Sequence, residues 1–261
     1  MNFKDKYGPW AIVAGASEGT GRAFAREVAA HGIHCILIAR REAPLVELAE
    51  QIRAESAVEC IPLSMDLSAP DACDRIMAAV GSREVGLFIG NAGADPNGTR
   101  FLDRDIDAWL ELVNRNVITT MRCCHQLGGL MRERRRGGLL LVGSGACYGG
   151  GDNLAAYSGS KAFELCFAES LWSELRPHHV DVLYLALVIT DTPALRKLVD
   201  EKGQKTPSRL ASPEDVARVG LAHLARGPVY NWGQLLGLRA GWRRLRISLV
   251  NTAARQIFGR N

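Results

Sequence analysis

Short apolar runs alternate along the chain with longer stretches that mix apolar and polar positions. The runs are rich in Val, Ile and Leu without polar alternation, which is typical of strands buried on both faces of a parallel sheet. The six runs are Trp10–Ala14, Cys35–Ala39, Val58–Leu63, Val85–Ile89, Leu139–Val142 and Val180–Val188. The mixed stretches predict helices at Ala23–Ala30, Ala43–Ala54, Asp105–Arg135 and Ala155–Arg176. This order predicts an α/β fold, a doubly wound parallel sheet with helices on both faces.

Composition agrees with a single folded domain over residues 1–261. The chain is 47% hydrophobic and 23% charged, which excludes intrinsic disorder. No apolar run reaches 18 residues, and MNFKDKYGPW lacks the apolar core of a secretory signal. The seven cysteines are odd in number and form no CxxC, so neither a disulfide framework nor a metal site is expected. We therefore expect a cytoplasmic protein with reduced thiols.

Positive charge is concentrated at the C-terminal end. The net charge is +4, yet the 46 residues after Asp215 hold eight Arg and no acidic residue. A basic extension at 234–261 suits an anionic surface, and as a helix Trp242–Phe258 would have an apolar side and a basic side. Membrane contact and packing on a sister subunit both fit, as does an ordinary solvated surface. A nucleic-acid partner is not expected.

Candidate chemistry follows the predicted strands, because ligands of such sheets bind at the carboxyl ends of the strands. The first strand is followed by Gly15-Ala-Ser17-Glu-Gly19-Thr20-Gly21. Glycines let a backbone approach a phosphate closely, and the N–H groups at the start of the next helix favour an anion. Three glycines at this spacing are weak as a motif alone. Their place between a strand and a helix strengthens the prediction of a phosphate-binding loop.

The second strand ends at Arg40 and Arg41, where an enzyme specific for NAD would carry a carboxylate for the ribose 2′-hydroxyl. Arginine instead suits the 2′-phosphate of NADP, although a solvated loop charge is the alternative. Asp66 follows the third strand and Asn91-Ala92-Gly93 the fourth, and on their own these are turn residues.

The fifth strand leads to Ser144, with Tyr157 and Lys161 further along the chain. Tyr157 and Lys161 are four residues apart, so one helix face presents both. A free tyrosine has a pKa of about 10 and is a poor acid–base catalyst at neutral pH. A nearby ammonium and an oxidised nicotinamide would lower that pKa, while Ser144 could donate a hydrogen bond to a substrate oxygen. Lys161 could also hold ribose hydroxyls.

In order and spacing, these residues resemble the short-chain dehydrogenase/reductase family over about residues 9–215. The resemblance implies a Rossmann-like fold, an oxidoreductase that uses NAD(P), and a tetrad of Asn116, Ser144, Tyr157 and Lys161. Tyr157 would be the general acid/base, and Asn116 would hold a water that links Lys161 to a proton relay. The cofactor residues it implies are Gly15, Ser17, Gly19, Thr20, Gly21, Arg40, Asp66, Asn91, Ala92, Gly93, Tyr157, Lys161 and Thr192.

Several positions depart from the family pattern. Ala14 replaces a common Thr, and Leu187-Val188 replace the usual Pro-Gly after the sixth strand. Glu18 stands where many members that use NADP carry Arg or Lys, so Arg40 is left as the main partner of a 2′-phosphate. NADP(H) is therefore favoured over NAD(H), but only moderately.

The opening Tyr7-Gly8-Pro9-Trp10-Ala11 is similar to the branch of 17β-hydroxysteroid dehydrogenases and very-long-chain 3-oxoacyl-CoA reductases. That similarity implies a hydrophobic ketone or secondary alcohol as substrate. Residues 192–212, with Leu195, Leu198, Val199 and Leu210, form the predicted substrate lid, although simple packing explains these apolar residues equally well. The family also implies a homodimer or homotetramer.

Two alternative functions remain open at this stage. A sensor or scaffold that binds NADP without catalysis would keep the fold, but such proteins typically lose the Tyr or the Lys. A sugar or polyol reductase would need more polar residues in the lid.

Overall fold

The computed structural model describes residues 2–232, and its centre is one parallel sheet of seven strands. The strands are β1 (Trp10–Ala14), β2 (His34–Ala39), β3 (Cys60–Ser64), β4 (Val85–Gly90), β5 (Gly137–Ser144), β6 (Val180–Leu187) and β7 (Val229–Asn231). Their order across the sheet is β3-β2-β1-β4-β5-β6-β7. The chain thus winds outward in both directions from β1 and β4, which confirms the predicted doubly wound sheet.

Helices cover both faces of this sheet. They are α1 (Phe3–Tyr7), α2 (Gly19–Ala30), α3 (Glu42–Ser56), α4 (Ala72–Val80), α5 (Ile106–Val113), α6 (Thr119–Glu133), α7 (Ala155–Leu175), α8 (Pro193–Glu201) and α9 (Pro213–His223). Within residues 2–232 no helix is both long and apolar enough to cross a membrane. The same residues contain all seven cysteines as free thiols, six of them buried and Cys166 exposed.

Alternate residues of the strands pack into two separate hydrophobic cores, one on each face of the sheet. Ala11 and Val13 join the core beneath α2, α3 and α9, whereas Ile12 joins the opposite core beneath α4, α6 and α7. Both faces of β1 are therefore buried, as the unbroken apolar run at Trp10–Ala14 predicts.

The structure corrects the predicted elements in two respects. The pattern missed β7, α1 and α4, which are short or lack a clear apolar period. The predicted single helix at Asp105–Arg135 is instead α5 and α6 joined by a π-helical turn at Asn114–Ile118. The π turn adds a residue to the helical repeat and is common at functional sites. A periodicity of 3.6 does not reveal it, because the flanking turns are α-helical.

The carboxyl ends of β1 and β4 lie side by side at the point where the strand order reverses. Ala14 pairs with Gly90, and Gly90 pairs in turn with Leu141 of β5. The loops that follow these strands therefore converge at one edge of the sheet. This edge is where ligands bind in open α/β sheets.

Candidate active site

The glycine loop after β1 is shaped for close contact with a phosphate. Gly15 and Gly19 have φ of +81° and +53°, which side chains rarely adopt. A Cβ on Gly21 would lie 1.9 Å from the carbonyl oxygen of Gly15. The N-cap residue of α2, Glu18, makes no side-chain cap hydrogen bond. The first N–H groups of α2 are thus available to an anion, as P-loop-like sites require.

Asn91 fixes this loop to the end of β4. Its Nδ2 donates to the Gly15 carbonyl oxygen at 3.1 Å, and its backbone N–H donates to the Ala14 carbonyl oxygen at 3.2 Å. Two predicted cofactor segments are therefore joined directly. Asn91 is then a structural link as well as a candidate contact.

Asn116 lies in the π turn and points into the protein, where it is fully buried. Its Nδ2 donates to Ser160 Oγ at 3.1 Å and to the Gly93 carbonyl oxygen at 3.3 Å. Its Oδ1 is buried and has no partner among residues 2–232. An unsatisfied buried acceptor of this kind fits a bound water, which agrees with the predicted role of Asn116.

Ser144 is the last residue of β5, and a hydrogen bond to the Tyr184 hydroxyl of β6 fixes its position. The backbone N–H of Ser144 donates to Tyr184 Oη at 3.2 Å, and Tyr184 Oη donates to the Lys161 carbonyl oxygen at 3.1 Å. Burial raises the pKa of Tyr184 well above its ordinary value, so this hydroxyl stays neutral. Tyr184 thereby joins β5 to α7 beneath the two predicted catalytic residues.

Tyr157 and Lys161 lie on one face of α7, as their spacing predicts. The Lys161 ammonium is 5.9 Å from the centre of the Tyr157 ring. A Cβ on Gly93 would lie 2.7 Å from Lys161 Nζ and 3.3 Å from Asn116 Oδ1. Because Gly93 has no side chain, Lys161 Nζ and Asn116 Oδ1 can both lie close to its backbone.

Lys161 itself is almost fully buried and bonded to Glu164. Its Nζ donates to Glu164 Oε2 at 2.9 Å and Oε1 at 3.2 Å, and to the Val142 carbonyl oxygen at 3.2 Å. Burial alone would lower the pKa of Lys161, but the Glu164 carboxylate and the Tyr157 hydroxyl outweigh it and raise that pKa. The ammonium therefore remains charged.

The end of β2 carries the charges that could distinguish the two dinucleotides. Arg41 forms an ion pair with Glu18, so the carboxylate that argued against NADP is neutralised. Arg40 lies near Asp66 and Arg115. Partial desolvation opposes the ionisation of the exposed Asp66, but hydrogen bonds from Ser68 together with both arginines hold its pKa below the ordinary value.

We call the space beside the glycine loop (Gly15–Gly21) and Gly93 the candidate cofactor groove. Thr192, which follows β6, lies against the glycine loop at this groove. A Cβ on Gly19 would lie 2.9 Å from Thr192 Cγ2, so Thr192 sits against the glycine loop. Its Oγ1 accepts from the Leu195 N–H at 3.2 Å and caps α8. At its other end α8 covers the loop after β4, where the Leu198 side chain approaches Gly98.

An open cavity of about 370 Å³ adjoins this loop and α8. Its lining residues are Gly98, Thr99, Arg100, Asp103, Asn153 and Lys202. Next to them in sequence, Phe101 and Leu102 are 44% and 89% exposed. The cavity thus has a polar lining with apolar side chains beside it.

Comparison with known proteins agrees with this geometry. The family model described as short chain dehydrogenase matches residues 9–203. The chain belongs to the short-chain dehydrogenase family. It is accordingly an oxidoreductase that acts on CH–OH groups.

Relatives in this family are similar over most of the chain. A 7β-hydroxysteroid dehydrogenase of Clostridium sardiniense is 32% identical over 90% of this chain and 89% of its own. A very-long-chain 3-oxoacyl-CoA reductase of Podospora anserina is 31% identical over 84% of this chain and 64% of its own. A solved 7β-hydroxysteroid dehydrogenase structure superposes with a TM-score of 0.83 at 27% identity, covering 97% and 95% of the two chains.

Three residues that contact the site were not among those predicted from the sequence. Glu164 binds Lys161, Tyr184 bonds to Ser144, and Arg115 lies beside Arg40 and Asp66. Glu164 could have been found, since a spacing of three on a helix places it on the Lys161 side. Tyr184 gave no such signal within an apolar strand.

Proposed function

We propose that the protein is an NADP(H)-dependent oxidoreductase that interconverts a hydrophobic ketone and its secondary alcohol. The observation that supports this most is the position of Lys161 and Asn116 beside Gly93, with the Tyr157 ring 5.9 Å from the Lys161 ammonium. The buried, unpartnered Oδ1 of Asn116 and the space above Gly93 fit a nicotinamide dinucleotide with its relay water. The proposed cofactor residues are those predicted above, from Gly15 to Thr192.

A bound dinucleotide would supply or accept the hydride, so the protein has to orient the substrate and move one proton. Ser144 donates a hydrogen bond to the substrate oxygen, and the Tyr157 hydroxyl donates its proton to that oxygen during reduction. In oxidation the tyrosine accepts the proton instead. Lys161 provides the positive charge that favours the phenolate and donates to the cofactor ribose.

NADP(H) is favoured because the local charge is positive. Among residues 2–232 no hydrogen bond or ion pair engages the Arg40 guanidinium, whereas Glu18 is already paired with Arg41. The Arg40 guanidinium is therefore available to bind the 2′-phosphate of NADP, and Arg115 lies nearby. Directly after β2, where a carboxylate would bind the 2′-hydroxyl of NAD, the chain has Arg40 and Arg41.

A bulky apolar substrate is supported by the relatives and by the groove. The relatives are named for a hydroxysteroid and a very-long-chain 3-oxoacyl thioester. Ile189, two residues beyond β6, is 50% exposed, and none of the residues of α8 is fully buried. Residues 192–212 then act as the lid, with half-buried Leu195, Leu198, Val199 and Leu210 toward the substrate.

A homodimer or homotetramer is supported by exposed apolar side chains on neighbouring helices. They are Ile106 and Leu110 of α5, Ile118 of the π turn, Met121 and Leu130 of α6, and Phe163 of α7. The basic extension at 234–261 and its proposed membrane contact lie outside the described residues. The single domain over 1–261 and a cytoplasmic location remain predictions.

Tryptophan fluorescence titrations with NADPH and NADH test the cofactor assignment. We expect NADPH to bind more tightly to the wild type, and Arg40→Ala to remove the difference while leaving NADH binding unchanged. Arg75→Ala, an exposed arginine outside the described groove, is the matched control. A preference for NADH in the wild type would refute the NADP(H) assignment.

A further inference from the structure

The side chain that contacts Lys161 most closely is a carboxylate outside the predicted tetrad. Glu164 lies one turn along α7, and the two side chains are only 3% and 4% exposed. Both carboxylate oxygens accept from the ammonium, and the Val142 carbonyl oxygen accepts as well. Glu164 therefore supplies two of the three protein oxygen atoms that accept from the Lys161 ammonium.

Glu164 is the only anionic partner of this ammonium among residues 2–232. The other titratable groups that act on the pair come from every packed element. They are Tyr157 of α7, Arg115 of the π turn, Cys124 of α6 and Tyr184 of β6, with Cys147 acting on Tyr184 from the turn after β5. Burial raises the pKa of Tyr184 and of Cys124, and Arg115 repels the ammonium.

Burial makes the charge of Lys161 costly. An ammonium without water or a counter-charge loses up to about 3–5 pKa units when it is fully buried. Burial raises the pKa of Glu164 although the Lys161 charge opposes it, whereas Glu164 opposes the effect of burial on Lys161, whose pKa is raised. Among the described groups, Glu164 therefore contributes most to keeping the lysine protonated.

We propose that Glu164 is a positioning residue that holds the Lys161 ammonium in place and keeps it charged. This rests on the proposed function for the role of Lys161 in the reaction. Without Glu164 the neutral amine would no longer stabilise the Tyr157 phenolate. Alcohol oxidation, which needs the phenolate, would then require a higher pH.

The direct test is a titration of the Lys161 side chain by NMR, with ¹³C at Cε of lysine. The chain has six lysines, so Lys161→Met assigns the signal. We expect Lys161 to titrate at lower pH in Glu164→Gln than in the wild type, by about two pH units or more. Glu174→Gln, at an exposed position of the same helix, should match the wild type. Equal titration of Lys161 in wild type and Glu164→Gln would overturn the proposal.

Loss of folding in Glu164→Gln would still be informative. The proposal attributes such loss to the unpaired ammonium, so the double variant Lys161→Met with Glu164→Gln should recover a cooperative melt. If both variants fail to fold, Glu164 serves packing alone and the proposal is wrong.

The pH profile of alcohol oxidation separates this proposal from the proposed function. We expect the acid limb of kcat/KM in Glu164→Gln to move to higher pH by about one unit or more. A limb that stays in place or moves to lower pH would contradict the role of Glu164. Activity that survives in Tyr157→Phe would instead contradict the proposed function and leave the NMR result standing.

Discussion

Two ion pairs flank the candidate cofactor groove, and they join the same kinds of group in different surroundings. Lys161 and Glu164 are 3% and 4% exposed, whereas Arg41 and Glu18 are 59% and 38% exposed. Water solvates the second pair whether or not its partners meet. The first pair is shielded from bulk water, so each charge depends strongly on the other.

This difference separates two uses of a salt bridge within one site. The buried pair determines the protonation state of a lysine that the proposed reaction needs. The exposed pair only neutralises Glu18, which leaves Arg40 to select the cofactor. Variants of the buried pair should therefore change turnover and stability strongly, whereas variants of the exposed pair should have small effects.

Lys161→Met should have the largest effect on turnover. Removing the charge that activates Tyr157 should lower kcat by about 10²–10⁴-fold, the range for general acid–base catalysis. Arg41→Met, the matched change at the exposed pair, should lower kcat by less than about threefold. Steady-state rates at saturating NADPH measure both. Equal losses at the two positions would show that burial does not distinguish the pairs.

Lys161→Met should also destabilise the fold. It leaves Glu164 as a buried charge without a partner, and breaking a buried pair costs about 3–5 kcal/mol. Adding Glu164→Gln should restore most of that free energy of unfolding, as measured by urea denaturation at neutral pH. If the second substitution makes stability worse, the pair does not act as a unit.

Arg40→Ala should weaken NADPH binding by about 10- to 100-fold, the equivalent of one charged hydrogen bond. NADH binding should not change, since NADH lacks the 2′-phosphate. Parallel dissociation constants from fluorescence titration provide the comparison. A similar loss for both cofactors would mean that Arg40 acts on the shape of the loop.

Glu18→Gln should have the smallest effect. An exposed pair contributes about 0–1 kcal/mol, so the free energy of unfolding should change by no more than that. Because the carboxylate repels a phosphate, NADPH affinity should rise by about two- to threefold at low salt and by less at high salt. A clear fall in NADPH affinity would show that Glu18 itself contributes to the site.

The sequence predicts much of the fold because β1, β2, β4 and β6 are largely apolar runs. Prediction fails where geometry departs from a regular period. The π turn at Asn114–Ile118 adds a residue to the repeat within a helical pattern, and β7 has only three residues. In the site, spacing alone predicts the shared face of Tyr157 and Lys161. The contacts of Tyr184 and of Glu18 with Arg41 depend on how distant segments pack, which a pattern along one chain does not contain.

The most direct test of the account is the rate of NADPH oxidation with a steroid ketone and with a long-chain 3-oxoacyl thioester, in wild type and Tyr157→Phe. The account predicts that the wild type consumes NADPH with at least one of them, and that Tyr157→Phe loses about 10²–10⁴-fold in rate while it still binds NADPH. Equal rates in the two proteins would contradict the assignment of Tyr157 as the acid/base, and with it the central claim.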